Sequence, residues 1–308
     1  MTTLRDMQRS LGITLVAVAA ALWGLDAWIR RPLAQSTDVA TIVFGEHLVL
    51  VAITFPLLFA ALPALFRLGP RYILAAAVIG AGSSAVATIL FTQAFVDGDP
   101  VTPVVLQKLQ PVIAVVAARV VLGERPRPLF ALYLVPALVG AWLIGVPDPF
   151  HPSAHGLQPT LYALAAATLW ALGTVLGRYL SRRMHFQHVT ALRFAFGLPA
   201  SAIALLVLGA PAFASGHDTF WIAVLAVVTG YLALGLYYYG LRRTPAVAAT
   251  IAELAFPVSA TLVLYFKFDQ APTHLQWIGL ALTSLVVALL PARPRDSIDV
   301  PAAVPATA

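Results

Sequence analysis

Ten long apolar runs follow one another along the chain, each about as long as a bilayer is thick. The hydrocarbon core of a bilayer measures ~30 Å, and an α-helix crosses it with ~20 residues. Because lipid cannot satisfy free backbone groups, we expect each run to form a helix. The predicted transmembrane helices cover residues 11–29, 39–62, 72–96, 101–122, 128–146, 158–180, 187–209, 219–241, 245–266 and 273–291.

The composition favours a membrane protein over a soluble domain. Hydrophobic residues make up 60% of the 308 residues and charged residues only 10%, with a mean hydropathy of +0.87, whereas a soluble domain carries about 25% charged residues. The net charge of +6 does not predict nucleic-acid binding, because the arginines lie in short loops between apolar runs. Cysteine is absent, which excludes disulfides and thiolate metal sites. No cofactor or metal is predicted.

The distribution of basic residues predicts the orientation in a cell (inner) membrane. The first run is too long for a signal-peptide core and ends at Arg30 and Arg31, so it is interpreted as an uncleaved helix. With both termini in the cytoplasm, twelve basic residues lie inside, whereas Arg30, Arg31 and Lys267 lie outside. The twelve are Arg5, Arg9, Arg67, Arg71, Arg125, Arg127, Arg182, Arg183, Arg242, Arg243, Arg293 and Arg295.

An internal repeat divides the chain into two parts of five helices. A segment ending in Trp23 recurs at Trp170, 147 residues later, and several chemically distinctive positions share nearly the same offset. Five is an odd number of helices, so two such parts would insert in opposite directions, as in many secondary transporters. The equivalent positions are Trp23 and Trp170, Arg31 and Arg178, Glu46 and Arg193, Pro111 and Pro257, and Glu124 and Gln270.

These repeated positions resemble the paired EamA domains of the drug/metabolite transporter superfamily. The resemblance rests on a proline in the fourth helix of each part, Pro111 and Pro257, and on Gly-Glu-Arg at the end of the first of these helices, 123–125. Glu46 departs from the pattern, since arginine is common there, and Gln270 replaces the second glutamate. The resemblance implies an all-α, ten-helix fold and export or exchange of small metabolites such as amino acids or related compounds.

The predicted organisation follows from the repeat and the charge distribution. Residues 1–10 form a cytoplasmic N-terminus, 11–146 the first five-helix repeat and 147–157 an external connector. The second repeat covers 158–291, and residues 292–308 form a disordered cytoplasmic tail rich in alanine and proline. Prolines at 56, 111, 136, 199 and 257 lie within predicted helices and are expected to kink them.

Ionisable side chains at membrane depth are the first candidates for function, because they are costly unless they face a cavity or a partner. We predict that Glu46 pairs with Lys108 near an outer gate and Arg193 with Glu253 near an inner gate. Lys108 or Arg193 could instead hold a substrate carboxylate, and Glu46 could carry a proton. The candidate binding or gating residues are Glu46, Lys108, Arg193, Glu253, Trp23, Trp170, Gln93 and Tyr239.

Two further charged sites have structural interpretations. Asp26 precedes Arg30 by four residues, so the two can pair on one helical face, in either a structural or a functional role. Glu124 is expected to cap or pair at the inner end of the fourth helix, with Arg119, Arg125 or Arg127 as partner.

The competing function classes are a membrane-embedded enzyme, and a channel or receptor. The sequence has no nucleophile elbow, Walker loop or metalloprotease motif, so no catalytic residues are predicted. The polar positions are too sparse for a continuous pore. The expected partners are therefore a small-molecule substrate and the lipid bilayer, with protons as a candidate coupling ion. The sequence does not indicate the oligomeric state.

Overall fold

The computed structural model describes residues 4–97, 106–107, 109–126, 131–145, 157–268, 271–289 and 298–299, and these are mostly helical. The α-helices are α1 (Leu4–Gly24), α2 (Asp26–Ser36), α3 (Val39–Leu68), α4 (Pro70–Ala77), α5 (Ala87–Asp97), α6 (Gln110–Leu122), α7 (Ala131–Gly145), α8 (Leu157–Ser181), α9 (Phe186–Leu208), α10 (Gly216–Leu225), α11 (Ala233–Leu241), α12 (Ala246–Ala252), α13 (Ala255–Phe268) and α14 (His274–Leu289). Two π-helical segments, π1 (Val78–Val86) and π2 (Ala226–Leu232), continue α4 into α5 and α10 into α11.

Seven helical segments of the described chain are long and apolar enough to cross a membrane. They run over Ser10–Ser36, Val39–Leu68, Pro70–Phe91, Gln158–Ser181, Phe186–Leu208, Gly216–Leu241 and Ala246–Lys267. Three shorter apolar helices, Gln110–Leu122, Ala131–Ile144 and His274–Leu289, fall within the remaining predicted segments. The protein is therefore a multi-pass membrane protein.

The first predicted helix is longer than expected and is interrupted. The sequence predicts its end at residue 29 because Arg30, Arg31 and Pro32 follow, but α2 continues to Ser36. A proline removes one backbone hydrogen bond, and neighbouring helices in a membrane bundle can compensate for that loss. Because the helix continues, Arg30 lies on a helix inside the bundle and not in a loop.

The fourth and ninth predicted helices are interrupted at their prolines. Pro257 has no N–H to offer the carbonyl of Glu253, four residues earlier, and α12 ends there. The amide of Phe256 donates to this carbonyl instead, at 3.0 Å. Pro111 lies in the first turn of α6, directly after a turn at Leu109. Both prolines therefore lie near the start of a helix, whereas prolines 56, 136 and 199 lie inside helices as predicted.

The two π-helical segments occupy similar places in the two parts of the chain. An offset of 147 residues carries π1 onto residues 225–233, which contain π2. A carbonyl of each segment accepts a hydrogen bond from a side chain on another helix. Arg193 Nη2 donates to the carbonyl of Ser83 at 3.4 Å, and Trp23 Nε1 donates to that of Thr229 at 3.0 Å. π-Helical turns are frequent at functional sites, and both donors belong to the candidate residues.

The largest helix contacts join the part before residue 146 to the part after residue 157. Helix α1 packs against α11 and α13, α8 against α5 and α6, α3 along α9, and α7 along α14. Small residues permit the close approach. Gly140 of α7 and Gly279 of α14 lie so near each other that a Cβ on either would approach the backbone of the other helix at about 3 Å or less. Each part therefore buries its helices mainly against the other.

The outward surface of the bundle is apolar. Phe59, Val120 and Leu206 are each more than 70% exposed, and in water such side chains would be costly. Several polar side chains are instead buried, among them Thr54, Ser83 and Ser201. Apolar residues outside and polar residues inside fit a bundle that lies in lipid.

Several predicted features lie outside the described residues. They are most of the connector at 147–157, Lys108, Gln270 and nearly all of the tail at 292–308. In the tail only Ile298–Asp299 is described, as strand β2, which pairs antiparallel with strand β1, Arg125–Pro126. At the other terminus, α1 begins at Leu4, within the segment predicted as a cytoplasmic N-terminus.

Candidate functional site

A cavity of about 670 Å³ lies between the two parts of the chain. Of the seven candidate residues that the structure describes, five line it: Glu46, Arg193, Glu253, Trp23 and Trp170. The volume is within the range of about 300–1,000 Å³ that small-molecule sites occupy. Further lining side chains are Asp26, Arg30, Val43, His47, Leu50, Ser83, Ser84, Thr88, Phe91, Gln107, Gln110, Thr174, Phe194, Thr229, Leu234, Tyr237 and Phe256.

The cavity extends from the middle of the bundle towards the end at which α2 finishes and α3 begins. On α2 and α3 the lining residues reach Ala34 and Val43, close to the turn between these helices. Ala34 is exposed, so the cavity reaches the surface at this end. The opposite end is closed by buried residues, among them Tyr238, Leu241 and the whole of α12. The described cavity is thus accessible from one end of the bundle.

An ion-paired cluster lies near the open end. Arg30 donates to both carboxylate oxygens of Glu46, at 2.8 and 3.1 Å, and to both oxygens of Asp26. Thr229 adds a hydrogen bond to Asp26 at 3.2 Å. The predicted Asp26–Arg30 pair is therefore present. Glu46 forms an ion pair with Arg30 in the described structure, whereas its predicted partner Lys108 lies outside the described residues.

Arg193 makes few contacts for a guanidinium at this depth. Its Nη1 donates to the Tyr238 hydroxyl at 3.2 Å, and its Nη2 to the Ser83 carbonyl. Its Nε is buried without a hydrogen-bond partner among the described residues. The predicted Arg193–Glu253 ion pair is wrong, since no contact within 4.0 Å joins the two side chains, both of which are described. Arg193 lines the cavity, and Nη1 and Nη2 each have a second N–H that can donate to an oxygen of a molecule there.

Glu253 lies at the interruption between α12 and α13 and accepts hydrogen bonds from three neutral groups. Gln110 Nε2 donates to Oε2 at 2.8 Å, while the Tyr237 hydroxyl and Thr174 Oγ1 donate to Oε1 at 2.8 and 2.9 Å. Gln110 belongs to the first part of the chain and the other groups to the second. The carboxylate therefore joins the two parts through one hydrogen bond.

Two aromatic pairs line the cavity. Trp23 packs on Tyr237 with ring centroids 5.1 Å apart, and Trp170 packs edge-on against Phe91 at 5.0 Å. The predicted Tyr239 is not among the lining residues: its ring contacts Phe186 and the Arg243 guanidinium. Residues two apart on a helix differ by ~200° in direction, which is why Tyr237 faces the cavity and Tyr239 does not. Gln93 is also not among the described lining residues.

Glu124 forms a separate cluster at the closed end. Its side chain is fully buried, accepts from Arg182 at 2.9 Å and lies 3.9 Å from Arg178. The Val247 amide, at the start of α12, donates to it at 3.5 Å. Burial raises the pKa of Glu124, and the positive charges of Arg178 and Arg182 oppose that rise. Glu124 therefore pairs with arginines and caps the start of α12, as predicted in kind. Its described partners lie in the second part of the chain and are not the predicted Arg119, Arg125 or Arg127.

A model of the EamA-like transporter family matches the chain twice, at residues 10–146 and 158–290. The chain belongs to the EamA-like transporter family. The boundary between the two family matches falls at the connector, so the cavity lies between the two EamA-like segments, and Gln110 and Glu253 come from different segments. The family supports a transporter and not an enzyme.

Relatives and a solved structure agree with this membership. The chain is similar to the riboflavin transporter ImpX of Fusobacterium nucleatum subsp. nucleatum, at 31% identity over 82% of this chain and 88% of that protein. It is also similar to the uncharacterized transporter YwfM of Bacillus subtilis, at 26% identity over 67% and 69% of the two chains. One crystal structure superposes with a TM-score of 0.70 at 20% identity, covering 91% of this chain and 95% of that chain, and so shares the fold.

The residues that sequence reasoning missed lie beside those that it found. The sequence predicts the pair of Arg30 with Asp26, but it does not predict the contact of Arg30 with Glu46, because Pro32 follows Arg30 and favours a loop. Thr174 is one helical turn after Trp170 and Gln110 directly precedes Pro111, so both could have been found by asking what neighbours the repeated residues. His47 next to Glu46 is buried, with Nδ1 2.7 Å from the Val43 carbonyl and Nε2 3.1 Å from Ser84 Oγ.

Proposed function

We propose that this EamA-like protein is a secondary transporter of small metabolites that works by alternating access, with two inverted five-helix repeats moving around the cavity. The observation that carries the proposal is the cavity itself, which is lined by both matched segments and, among the described residues, reaches one end of the bundle. The Glu124 cluster at the other end joins the two segments. If the end with the Glu124 cluster opened and the end near Ala34 closed, the same lining residues would face the opposite side of the membrane.

The contact pattern between helices supports the inverted repeat. At the 147-residue offset, α1 corresponds to α8, α5 to α11 and α6 to α13. The packing of α1 on α11 and α13 then has its counterpart in the packing of α8 on α5 and α6. Two further large contacts, α3 with α9 and α7 with α14, each join corresponding helices, whereas the large contact of α9 with π1 has only a small counterpart between α3 and π2. A pseudo-two-fold axis between the segments would produce this exchange of partners.

The cavity favours a substrate with a flat ring system and hydrogen-bonding oxygens. The pairs Trp23–Tyr237 and Phe91–Trp170 offer aromatic surfaces, and stacked or edge-on ring contacts contribute about 0.5–1.5 kcal/mol beyond burial. Arg193 lines the cavity, and the second N–H of its Nη1 or Nη2 can donate to a carbonyl or carboxylate oxygen. Riboflavin has both features, and the similarity to a riboflavin transporter makes it the first compound to test. Amino acids, which the sequence resemblance suggests, are the competing class.

Counterflow in proteoliposomes tests the transport mechanism. Liposomes loaded with unlabelled riboflavin should transiently accumulate labelled riboflavin above its external concentration, because a carrier exchanges one molecule for another. The Trp170→Ala variant should weaken the apparent affinity, whereas Trp277→Ala, at a residue 43% exposed and not among the lining residues, should match the unmodified protein. Equilibration without an overshoot would contradict a carrier. Counterflow with an amino acid but not with riboflavin would keep the carrier mechanism and change the proposed substrate to an amino acid.

Cysteine labelling tests the proposed orientation. The chain has no cysteine, so Arg183→Cys at the closed end and Ala212→Cys near the start of α10 each create one reactive site, and both positions are exposed. An impermeant thiol reagent added to intact cells should label the cysteine at 212 and not that at 183, because basic residues concentrate on the cytoplasmic side. The reverse pattern would place the closed end of the cavity outside.

A further inference from the structure

The carboxylates and guanidiniums that line the described cavity, which His47 and Tyr237 also line, do not balance one another. Asp26, Glu46 and Glu253 are three carboxylates, and Arg30 and Arg193 are two guanidiniums. Arg30 forms ion pairs with both Asp26 and Glu46. Arg193 contacts a hydroxyl and a carbonyl, and no carboxylate within 4.0 Å among the described residues. Glu253 is thus the lining carboxylate that the described cations leave unpaired.

Neutral donors can hold either protonation state of a carboxyl group, which an ion pair cannot. Tyr237 and Thr174 both donate to Oε1 of Glu253, and Gln110 donates to Oε2. If Oε2 gains a proton, the Gln110 amide can turn over so that its oxygen accepts that proton. The hydrogen bond between the two EamA-like segments then persists with its direction reversed.

Access of water decides which state is favoured. In the described structure the cavity reaches the surface, so water can reach and solvate a charged Glu253. Closing the cavity, or filling it with substrate, removes that water, and desolvation penalises the charged form of a carboxyl group. The charged and titratable groups of the described residues that face Glu253 are Arg193 on α9 and Tyr237 on α11. Neither makes an ion pair with it.

We infer that Glu253 is the proton-binding site of this transporter, and that one proton enters and leaves the cavity together with each substrate molecule. The proton comes from water on the side to which the cavity is open and returns to water on the other side. Tyr237 contacts both Trp23 and Glu253, so a substrate that packs against these aromatic rings can affect the proton-binding carboxylate through Tyr237. This inference rests on the proposed alternating access and adds the coupling ion and its residue.

Accessibility of the cavity mouth gives a test that needs no substrate. A single cysteine, Ala34→Cys, lies at the open end, and Ala212→Cys provides an exposed reference for the intrinsic pH dependence of thiol labelling. In purified protein, the ratio of the two labelling rates should fall several-fold as the pH is lowered, because a protonated Glu253 permits closure. In Glu253→Gln the ratio should not change with pH, whereas Glu253→Asp, which can still titrate, should retain a transition.

Two labelling outcomes would overturn the inference. One is a pH-dependent ratio that is unchanged in Glu253→Gln, since another group would then be titrating. The other is a ratio that does not depend on pH in the unmodified background. Thermal unfolding of each variant in detergent establishes that the proteins compared are folded.

Transport assays separate this inference from the proposed function. With one proton per substrate, a gradient of one pH unit, acid outside, should drive accumulation of riboflavin up to about tenfold. Glu253→Gln should lose the gradient-driven accumulation, and this loss should exceed any fall in its riboflavin counterflow. Counterflow without any effect of the gradient in the unmodified protein would keep the carrier and reject the proton site. Absence of riboflavin counterflow would reject that substrate and leave the labelling test as the decisive measurement.

Discussion

Glu46 and Glu253 both line the cavity, yet their surroundings differ. Glu46 shares the Arg30 guanidinium with Asp26, so its charge is balanced at contact distance. Glu253 has three neutral donors and no ion pair with a described residue. Both an ion pair and donated hydrogen bonds favour the charged form of a carboxyl group. Neutral donors add no opposite charge, however, and an amide such as Gln110 can turn over to accept a proton from the neutral form. The comparison assigns a fixed, structural charge to the first carboxylate and a changeable one to the second, although the sequence predicts both as gate residues.

Removing Arg30 should have the largest effect on the stability of the protein. Arg30→Met would leave Asp26 and Glu46 close together without their cation, and breaking such a pair costs about 3–5 kcal/mol when it is buried. Since Arg30 is 26% exposed, we expect a loss near the lower end of that range, about 3 kcal/mol. Thermal unfolding in detergent and the yield of folded protein measure the loss.

A neutral version of the cluster distinguishes charge from shape. The combination of Asp26→Asn, Arg30→Met and Glu46→Gln removes all three charges and should recover most of the stability. Arg183→Met, at an exposed arginine, is the matched control and should have little effect. If Arg30→Met is as stable as this control, the cluster does not fix the charge of Glu46 and the contrast with Glu253 fails.

Glu124, a fully buried carboxylate, should show an intermediate effect. It is paired like Glu46 but lies at the closed end, outside the cavity. Glu124→Gln should lower the free energy of unfolding by about 2 kcal/mol, less than Arg30→Met, because Arg182 is 32% exposed and can turn towards water. The apparent affinity for a transported substrate should stay the same. A changed affinity with normal stability would contradict a structural role for Glu124.

The contrast between the carboxylates shows what the sequence could and could not predict. The apolar runs predicted where the helices lie, because this property depends on local sequence. The repeat offset and the depth of charged residues selected the candidate residues that line the cavity, which are Trp23, Trp170, Glu46, Arg193 and Glu253. Pairing depends on side-chain direction and on where each helix breaks. The break at Glu253 turns its carboxylate towards Gln110 and Tyr237, and the continuation of α2 beyond residue 29 brings Arg30 to Glu46.

The smallest predicted effect comes from a matched pair of tyrosines on α11. The Tyr237 hydroxyl donates to Glu253 at 2.8 Å and lies 3.0 Å from Thr174 Oγ1, whereas Tyr239 packs against Phe186 away from the cavity. Losing a donor to a carboxylate removes about 1.5 kcal/mol of preference for its charged form. In Tyr237→Phe the midpoint of the pH-dependent labelling at Ala34→Cys should therefore move to higher pH by about one unit.

Tyr239→Phe makes the same chemical change two residues away and should leave that midpoint in place. Both variants keep the ring, so the contact between Trp23 and residue 237 remains and differences in packing are small. A midpoint that moves equally in both variants would mean that hydroxyl loss acts through stability, and one that moves in neither would mean that the Tyr237 hydroxyl does not hold the titrating group. Only a shift confined to Tyr237→Phe agrees with a proton site at Glu253, because the Tyr237 hydroxyl alone of the two contacts that carboxylate in the described structure.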